Sequence, residues 1–305
     1  MNLKQIFFYL IAVAVMGLAG MGSIGGINMA SAKNTHHYFG QTKDSYQSEI
    51  DYGNNTAIGH YVKSTDDTKI YYEAYGEGKP VVLLHGGLVG SPNEMGQLAD
   101  KLLKENRQVI LIATRGHARS YMGNKVPSYE QKADDVNAVL ADLKIDKVDL
   151  IGFSDGAYTA YFFDKAYPDK VNALVAIGAG VWKKGFVQGG RVGMNSFADL
   201  KSFDEQYWKE QLTGIRPETN RTDEWFNSVM DYYNSVEVGQ EVFKKVNAKT
   251  FVIAGEKDMN APLDTVIEAC HLLPNAHLAI IPNAPHPILM TDFDLVWNMI
   301  DKFLN

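Results

Sequence analysis

Short apolar runs recur along the chain, and between them apolar positions return every three or four residues. Val81–Leu84, Val109–Ala113, Val148–Ile151 and Val171–Ile177 are runs of the first kind, strand-length and largely without polar alternation. Strands buried on both faces read this way, as they do in a parallel sheet covered by helices. The second kind falls between the runs. Met95, Leu98, Leu102 and Leu103 share one helical face, as do Val136, Val139, Leu140 and Leu143. Ser128-Tyr129-Glu130-Gln131 has the form of a capping box and opens the second of these helices. Tyr158–Tyr167 reads as a helix after the third run, and the order resumes late in the chain with a strand at Thr250–Gly255. A helix through Val266, Ala269 and Leu272 follows, then a strand at Ala279–Ile281 and a last helix from Asp292 to Leu304. Alternation of this sort predicts an α/β fold, a doubly wound and mostly parallel sheet. Ahead of it, Tyr61–Ser64 and Lys69–Tyr75, joined by Thr65–Thr68, predict an antiparallel hairpin.

Three stretches break the pattern. Residues 181–248 show no buried-strand run and are rich in aromatics, among them Trp182, Phe186, Phe197, Trp208, Trp225 and Tyr233. They predict a helical insertion that caps the carboxyl edge of the sheet, most of its aromatics forming a small core of their own. Residues 33–58 are polar and aperiodic, which predicts a linker or loosely packed arm. Residues 1–32 have the plan of a signal peptide: Lys4, the apolar Ile6–Leu18, then small residues ending in Ala30-Ser31-Ala32. The alternative for this segment is an uncleaved membrane anchor, since Ile6–Ala30 carries no charge. The core itself is expected over 59–180 and 249–305.

Charge and composition then narrow the function. A formal charge of −7 gives no electrostatic reason for a nucleic-acid partner, and 46% hydrophobic residues suffice for a large core. The single cysteine, Cys270, excludes an intramolecular disulfide framework and a four-cysteine zinc site. It reads as a small buried residue on a helix. His36-His37 is too isolated to argue for a metal, and no H-E-x-x-H spacing occurs. Nothing in the sequence sets an oligomeric state.

The candidate chemistry lies on loops that follow predicted core strands. Gly152-Phe153-Ser154-Asp155-Gly156 turns from a strand into a helix. A turn this tight strains the serine backbone and brings neighbouring chain close, so glycine is needed on either side. His85-Gly86-Gly87-Leu88 is a glycine loop after an earlier strand, with backbone N–H groups able to face a developing oxyanion. Gly87 is the first candidate donor and the N–H of Asp155 the second. Asp258 follows the strand at 250–255, with Glu256 and Asp264 as competing carboxylates, and His286 sits in a proline-flanked loop after the strand at 279–281. That edge of an open α/β sheet is where ligand and catalytic groups collect.

The order Ser154, Asp258, His286 with a glycine loop upstream resembles the α/β-hydrolase superfamily, over a span from about Gly59 to the C-terminus. Arg115-Gly116-His117-Ala118-Arg119-Ser120 is similar to that family's Arg-Gly-His-Gly-x-Ser stretch, with Ala118 in place of a glycine, Ala113 in place of a frequent aspartate, and His117 taken as structural. The resemblance implies a catalytic triad of Ser154, Asp258 and His286, an oxyanion hole from the Gly87 and Asp155 N–H groups, and hydrolysis through an acyl-enzyme. Leu88, Trp182 and Met259 are the expected substrate-pocket residues. No cofactor or metal is required. The expected substrate is a small, partly apolar carboxylic ester or lactone, met outside the cytoplasm if the leader directs export. The resemblance leaves thioester, amide or carbon–carbon cleavage open, together with a haloperoxidase-like side reaction and a binding protein that turns nothing over. A serine at 154 argues against relatives that open epoxides or displace halide through an aspartate.

Overall fold

The computed structural model describes residues 35–185 and 195–305; the expected leader, residues 1–32, and Phe186 lie outside the described residues. Eight strands form one sheet: β1 (His60–Lys63), β2 (Lys69–Tyr75), β3 (Lys79–Leu84), β4 (Arg107–Ile112), β5 (Val148–Phe153), β6 (Val171–Ile177), β7 (Lys249–Gly255) and β8 (Ala276–Ile281). Their spatial order is β1-β2-β4-β3-β5-β6-β7-β8. β1 and β2 pair antiparallel, β2 meets β4 antiparallel, and every other pairing is parallel.

The strands divide their side chains between two cores. Val82, Leu84, Ile110 and Ile112 face one, with Val136, Val139 and Leu140 of α2 (Tyr129–Asp142) and the buried apolar side chains of α3 (Asp155–Ala166). Val81, Leu83, Val109 and Leu111 face the other, with Leu98 and Leu102 of α1 (Gly96–Lys104). Period-two alternation therefore exists within each run but is invisible in hydropathy, because both faces are dry. At roughly 1.5–3 kcal/mol for each fully buried aliphatic side chain, these runs dominate the energetics that fix the topology. The capping box is half made. Ser128 Oγ accepts the Gln131 N–H at 3.3 Å, whereas the Gln131 side chain is drawn off to Arg115. α3 starts three residues earlier than the apolar pattern suggests, directly after Ser154.

Between β6 and β7 come α4 (Phe197–Lys201), α5 (Glu205–Glu210), α6 (Thr222–Ser235) and α7 (Gln240–Phe243). Tyr207, Trp208, Trp225, Phe226 and Tyr233 pack together there, and Leu88 and Val89 of the glycine loop lean on the same cluster.

The arm differs from expectation. From Thr35 onward it is folded onto the rest of the chain rather than loose. Ile50, Asp51, Tyr52 and Asn55 are buried, and Phe39 joins the aromatic cluster of the inserted helices. Glu73 on β2 accepts the Gly53 and Asn55 N–H groups at 2.7 and 2.8 Å, and Asp100 accepts the Tyr46 and Tyr52 hydroxyls at 2.6 and 2.7 Å. Carboxylates on the core grip arm backbone and phenols, and such bonds leave no apolar period in the arm itself. Among the described residues no helix is long and apolar enough to cross a membrane.

Candidate active site

The chain reverses direction in the sheet between β3 and β5. After β3 it crosses to β4 on one side, and it later returns to β5 on the other. Leu84 and Gly152 pair directly at the carboxyl ends of these strands. The glycine loop and the serine turn are thus set side by side at the switch point, where an open α/β sheet leaves a crevice.

Ser154 has φ 52° and ψ −116°, a left-handed strained backbone for a residue with a side chain. Its N–H donates to Ile177 O of β6 at 2.7 Å, which helps hold the turn in place. A Cβ at Gly152 would land on the Gly156 carbonyl, and one at Gly156 on the Leu84 carbonyl. Both glycines are therefore forced by close backbone approach. α3 begins at Asp155, so free helix N–H groups and the positive end of the helix dipole lie beside the serine.

His286 Nε2 lies 2.9 Å from Ser154 Oγ, and His286 Nδ1 lies 2.7 Å from Asp258 Oδ2. The second Asp258 oxygen accepts the N–H groups of Asn260 and Ala261, each at 2.8 Å. Phe153 lies against the imidazole with ring centroids 5.0 Å apart. Of the competing carboxylates, Glu256 is turned to the Asn283 N–H at 2.8 Å, and Asp264 sits in the first turn of α8 (Leu263–Leu272). Gly178, which the sequence did not single out, also belongs here. With φ 65°, a Cβ on it would crowd His286 Cε1 at 3.1 Å and Asp258 Oδ2 at 3.3 Å.

Asp155 is 3% exposed, and its carboxylate is tightly held. Oδ1 accepts the hydroxyls of Tyr129 at 2.9 Å and Tyr233 at 2.8 Å, and Oδ2 pairs with Lys132 Nζ. Tyr129 and Lys132 lie three apart on α2 and so share a face, while Tyr233 comes from α6. Burial, with the Asp155 charge behind it, pushes both phenols well above their ordinary range, so they remain neutral donors. None of the three partners was legible. Lys132 in particular reads as the wet side of a helix. At Gly87 a Cβ would strike the Tyr233 hydroxyl and come within 2.9 Å of Asp155 Cβ, so loop, serine turn and α6 meet there.

The expected pocket residues fare differently. Leu88, at φ 53°, is partly buried against the aromatic cluster. Trp182 exchanges backbone hydrogen bonds with Val238 at 2.9 Å, and its Nε1–H donates to Tyr233 O at 3.0 Å, so it fastens the end of α6. Met259 is 64% exposed, outside every apolar cluster. The turn that folds Asn260 and Ala261 onto Asp258 leaves its side chain on the outside.

The neighbouring histidines serve the framework. His85 Nε2 accepts the Thr114 N–H at 3.0 Å, and burial lowers its pKa to about 4. His117 is buried against His85 and Trp225, and burial holds it well below its ordinary value. Arg115 makes paired bonds to Asp135 at 2.8 and 2.6 Å, pinning the loop after β4 to α2. Cys270 lies partly buried on α8. Among the described residues no group of three or more metal-ligating side chains comes together.

A sequence model of the alpha/beta hydrolase fold matches residues 79–215. An AB hydrolase superfamily protein of Bacillus subtilis, YisY, is 24% identical over 274 residues, covering 81% of this chain and 100% of the relative. The human serine hydrolase BPHL is 22% identical over 257 residues, covering 82% of this chain and 87% of the relative. In three dimensions the chain is similar to an esterase from Exiguobacterium antarcticum, with a TM-score of 0.69 at 20% identity, covering 81% of this chain and 99% of that one.

Proposed function

Because this chain belongs to the α/β-hydrolase superfamily, we propose that it is a serine hydrolase cleaving a carboxylic ester or lactone of a small, partly apolar substrate. The observation that carries this reading is the unbroken contact from Asp258 through His286 to a serine in strained geometry. A hydroxyl in that position has a base on its proton and helix N–H groups at its back.

The steps follow from the geometry. Ser154 Oγ attacks the acyl carbonyl while His286 Nε2 takes its proton. Asp258 fixes the imidazole with Nδ1–H toward the carboxylate and stabilises the imidazolium. The carbonyl oxygen becomes an alkoxide, received by the N–H groups of Gly87 and Asp155. The Gly86 N–H is already engaged by Glu94, which supports the next N–H, that of Gly87, as the donor in that loop. Each such donor contributes about 3–4 kcal/mol in the transition state. His286 then returns the proton to the leaving alcohol, the acyl group stays on Ser154, and water activated by His286 releases the acid.

The helices between β6 and β7 act as the cap, and the apolar side of the acyl pocket is built from Leu88, Val89 and the aromatic cluster they touch. Residues 1–32 direct export, so the substrate is one met outside the cytoplasm. Turnover of p-nitrophenyl esters of graded chain length, lactones, anilides and a carbon–carbon-cleavage substrate, each beside Ser154→Ala, tests the reading. Hydrolysis of esters or lactones that vanishes in the variant supports it; turnover confined to the carbon–carbon substrate removes the ester assignment.

A further inference from the structure

Gly86 has the rotational freedom of any glycine, yet the direction of the Gly87 N–H depends on it. Two side chains remove that freedom, one on each flanking peptide plane. The His85–Gly86 plane is held by its N–H, which donates to Glu94 Oε1. The Gly86–Gly87 plane is held by its carbonyl, which accepts His85 Nδ1–H at 2.7 Å. Peptide planarity then carries the second restraint to the Gly87 N–H on the same plane. The loop closes behind it as Val89 and Gly90 donate back to Gly87 O at 2.6 and 3.1 Å. Glu94 itself rides a single 3₁₀ turn, Pro92–Met95, anchored by buried Pro92 and Met95.

We propose that Glu94 is a positioning residue for the oxyanion hole: by accepting the Gly86 N–H it sets the peptide whose partner plane aims the Gly87 N–H at the alkoxide on Ser154. Its role stands on the reading of Ser154 as the nucleophile.

The surroundings decide in which form Glu94 does this. The Asp155 carboxylate faces it from α3, already committed to Lys132, and Tyr207 faces it from α5. From the arm come Tyr38 and His36, the latter bonded to Asp51 at 2.6 Å. No cation pairs with Glu94 among the described residues. Burial, with the Asp155 charge adding to it and the Gly86 N–H opposing it, pushes the carboxyl up to about 8. At neutral pH Glu94 therefore holds the loop as an uncharged acid. Above pH 8 it places a negative charge beside the peptide meant to receive an alkoxide, and the acylation rate falls.

The test is the pH profile of kcat for p-nitrophenyl butyrate in the full chain, compared with Glu94→Gln and Glu94→Ala, with fluorophosphonate labelling of Ser154 run in parallel. Glu94→Gln keeps an acceptor for the Gly86 N–H but cannot ionise, so its neutral-pH kcat stays within about three-fold and its alkaline fall disappears. Glu94→Ala frees the peptide, lowering kcat by up to about 100-fold with KM little changed. A Glu94→Gln profile that falls with the wild-type midpoint overturns the proposal, as does an unaltered kcat in a folded Glu94→Ala. Should the alanine variant fail to fold, the glutamine profile decides alone. A labelled, active wild type beside unaffected variants sinks only the Glu94 role. An unlabelled, inactive wild type sinks the serine reading and the Glu94 role with it.

Discussion

Replacing Lys132 by methionine removes the one cation that pairs with Asp155 among the described residues, while filling nearly the same volume. Lys132 and Asp155 are 2% and 3% exposed, so water does not take the place of the lost ammonium. Breaking a buried pair from one side costs roughly 3–5 kcal/mol, because the remaining charge stays buried and uncompensated. Here the Tyr129 and Tyr233 hydroxyls go on donating to Asp155 Oδ1, and bonds to a charged group are worth about 1.5–3 kcal/mol. The lower end, about 3 kcal/mol, is therefore expected for Lys132→Met. Adding Asp155→Asn removes the stranded charge, and the double variant should regain most of the loss, leaving a coupling energy of about 2 kcal/mol or more. Urea unfolding at constant pH, on the two single variants and the double, measures this cycle. The labelling rate of Ser154 should fall in Lys132→Met, since an unpaired carboxylate then stands beside an oxyanion donor. A Lys132→Met protein within about 0.5 kcal/mol of wild type would refute the reasoning, because that is the size of change expected for a surface lysine.

Two further outcomes follow. Ala118 sits at φ 43°, left-handed backbone where the similar family stretch has glycine, so Ala118→Gly relieves strain of about 1–2 kcal/mol. The lost methyl, buried among Tyr71, Ala113 and Ile215, offsets about 0.8 kcal/mol of that, and thermal unfolding should show a net gain of roughly 0.2–1.2 kcal/mol. The arm should be pH-sensitive: hydrogen bonds to Asp51 and Asp204 raise His36 and His37 above the ordinary 6.5. A histidine raised by folding stabilises fully below its unfolded value and loses that contribution as pH rises through its folded value. The protection of residues 35–55, exchange rates divided by the intrinsic amide rate at each pH, should therefore fall between mildly acid and mildly alkaline pH, and His37→Gln should flatten the change; identical protection at both ends excludes the latch.

Legibility followed burial. β3, β4 and β5 stood out because both faces of each are dry, and dry strands print as unbroken apolar runs. Ser154 and Asp258 could be placed because each follows such a strand, whereas His286 follows the edge strand β8, where Leu278 and Ile280 are exposed, and is marked instead by the prolines of its loop. The resemblance already selects Asp258 over Glu256, and in the fold Glu256 turns to the Asn283 N–H. Other features leave no one-dimensional trace. α4, α5 and α7 are too short to show a helical period. The arm is bound through its backbone N–H groups to Glu73, Asp204 and Glu210, which hydropathy does not record. Lys132 and Glu94 look like ordinary surface charges until α3 and the glycine loop are folded against them. Met259 is the opposite case, an apolar residue beside Asp258 whose side chain the local turn leaves exposed, which hydropathy does not record.

The proposed chemistry begins at one nucleophile, Ser154. Wild-type protein treated with a fluorophosphonate, digested and read by mass spectrometry should carry the adduct on Ser154. Ser154→Ala should carry none, and His286→Ala should label at least about 100-fold more slowly, as loss of a general base requires. A folded wild type that stays unlabelled, or one labelled at another serine, contradicts the central claim.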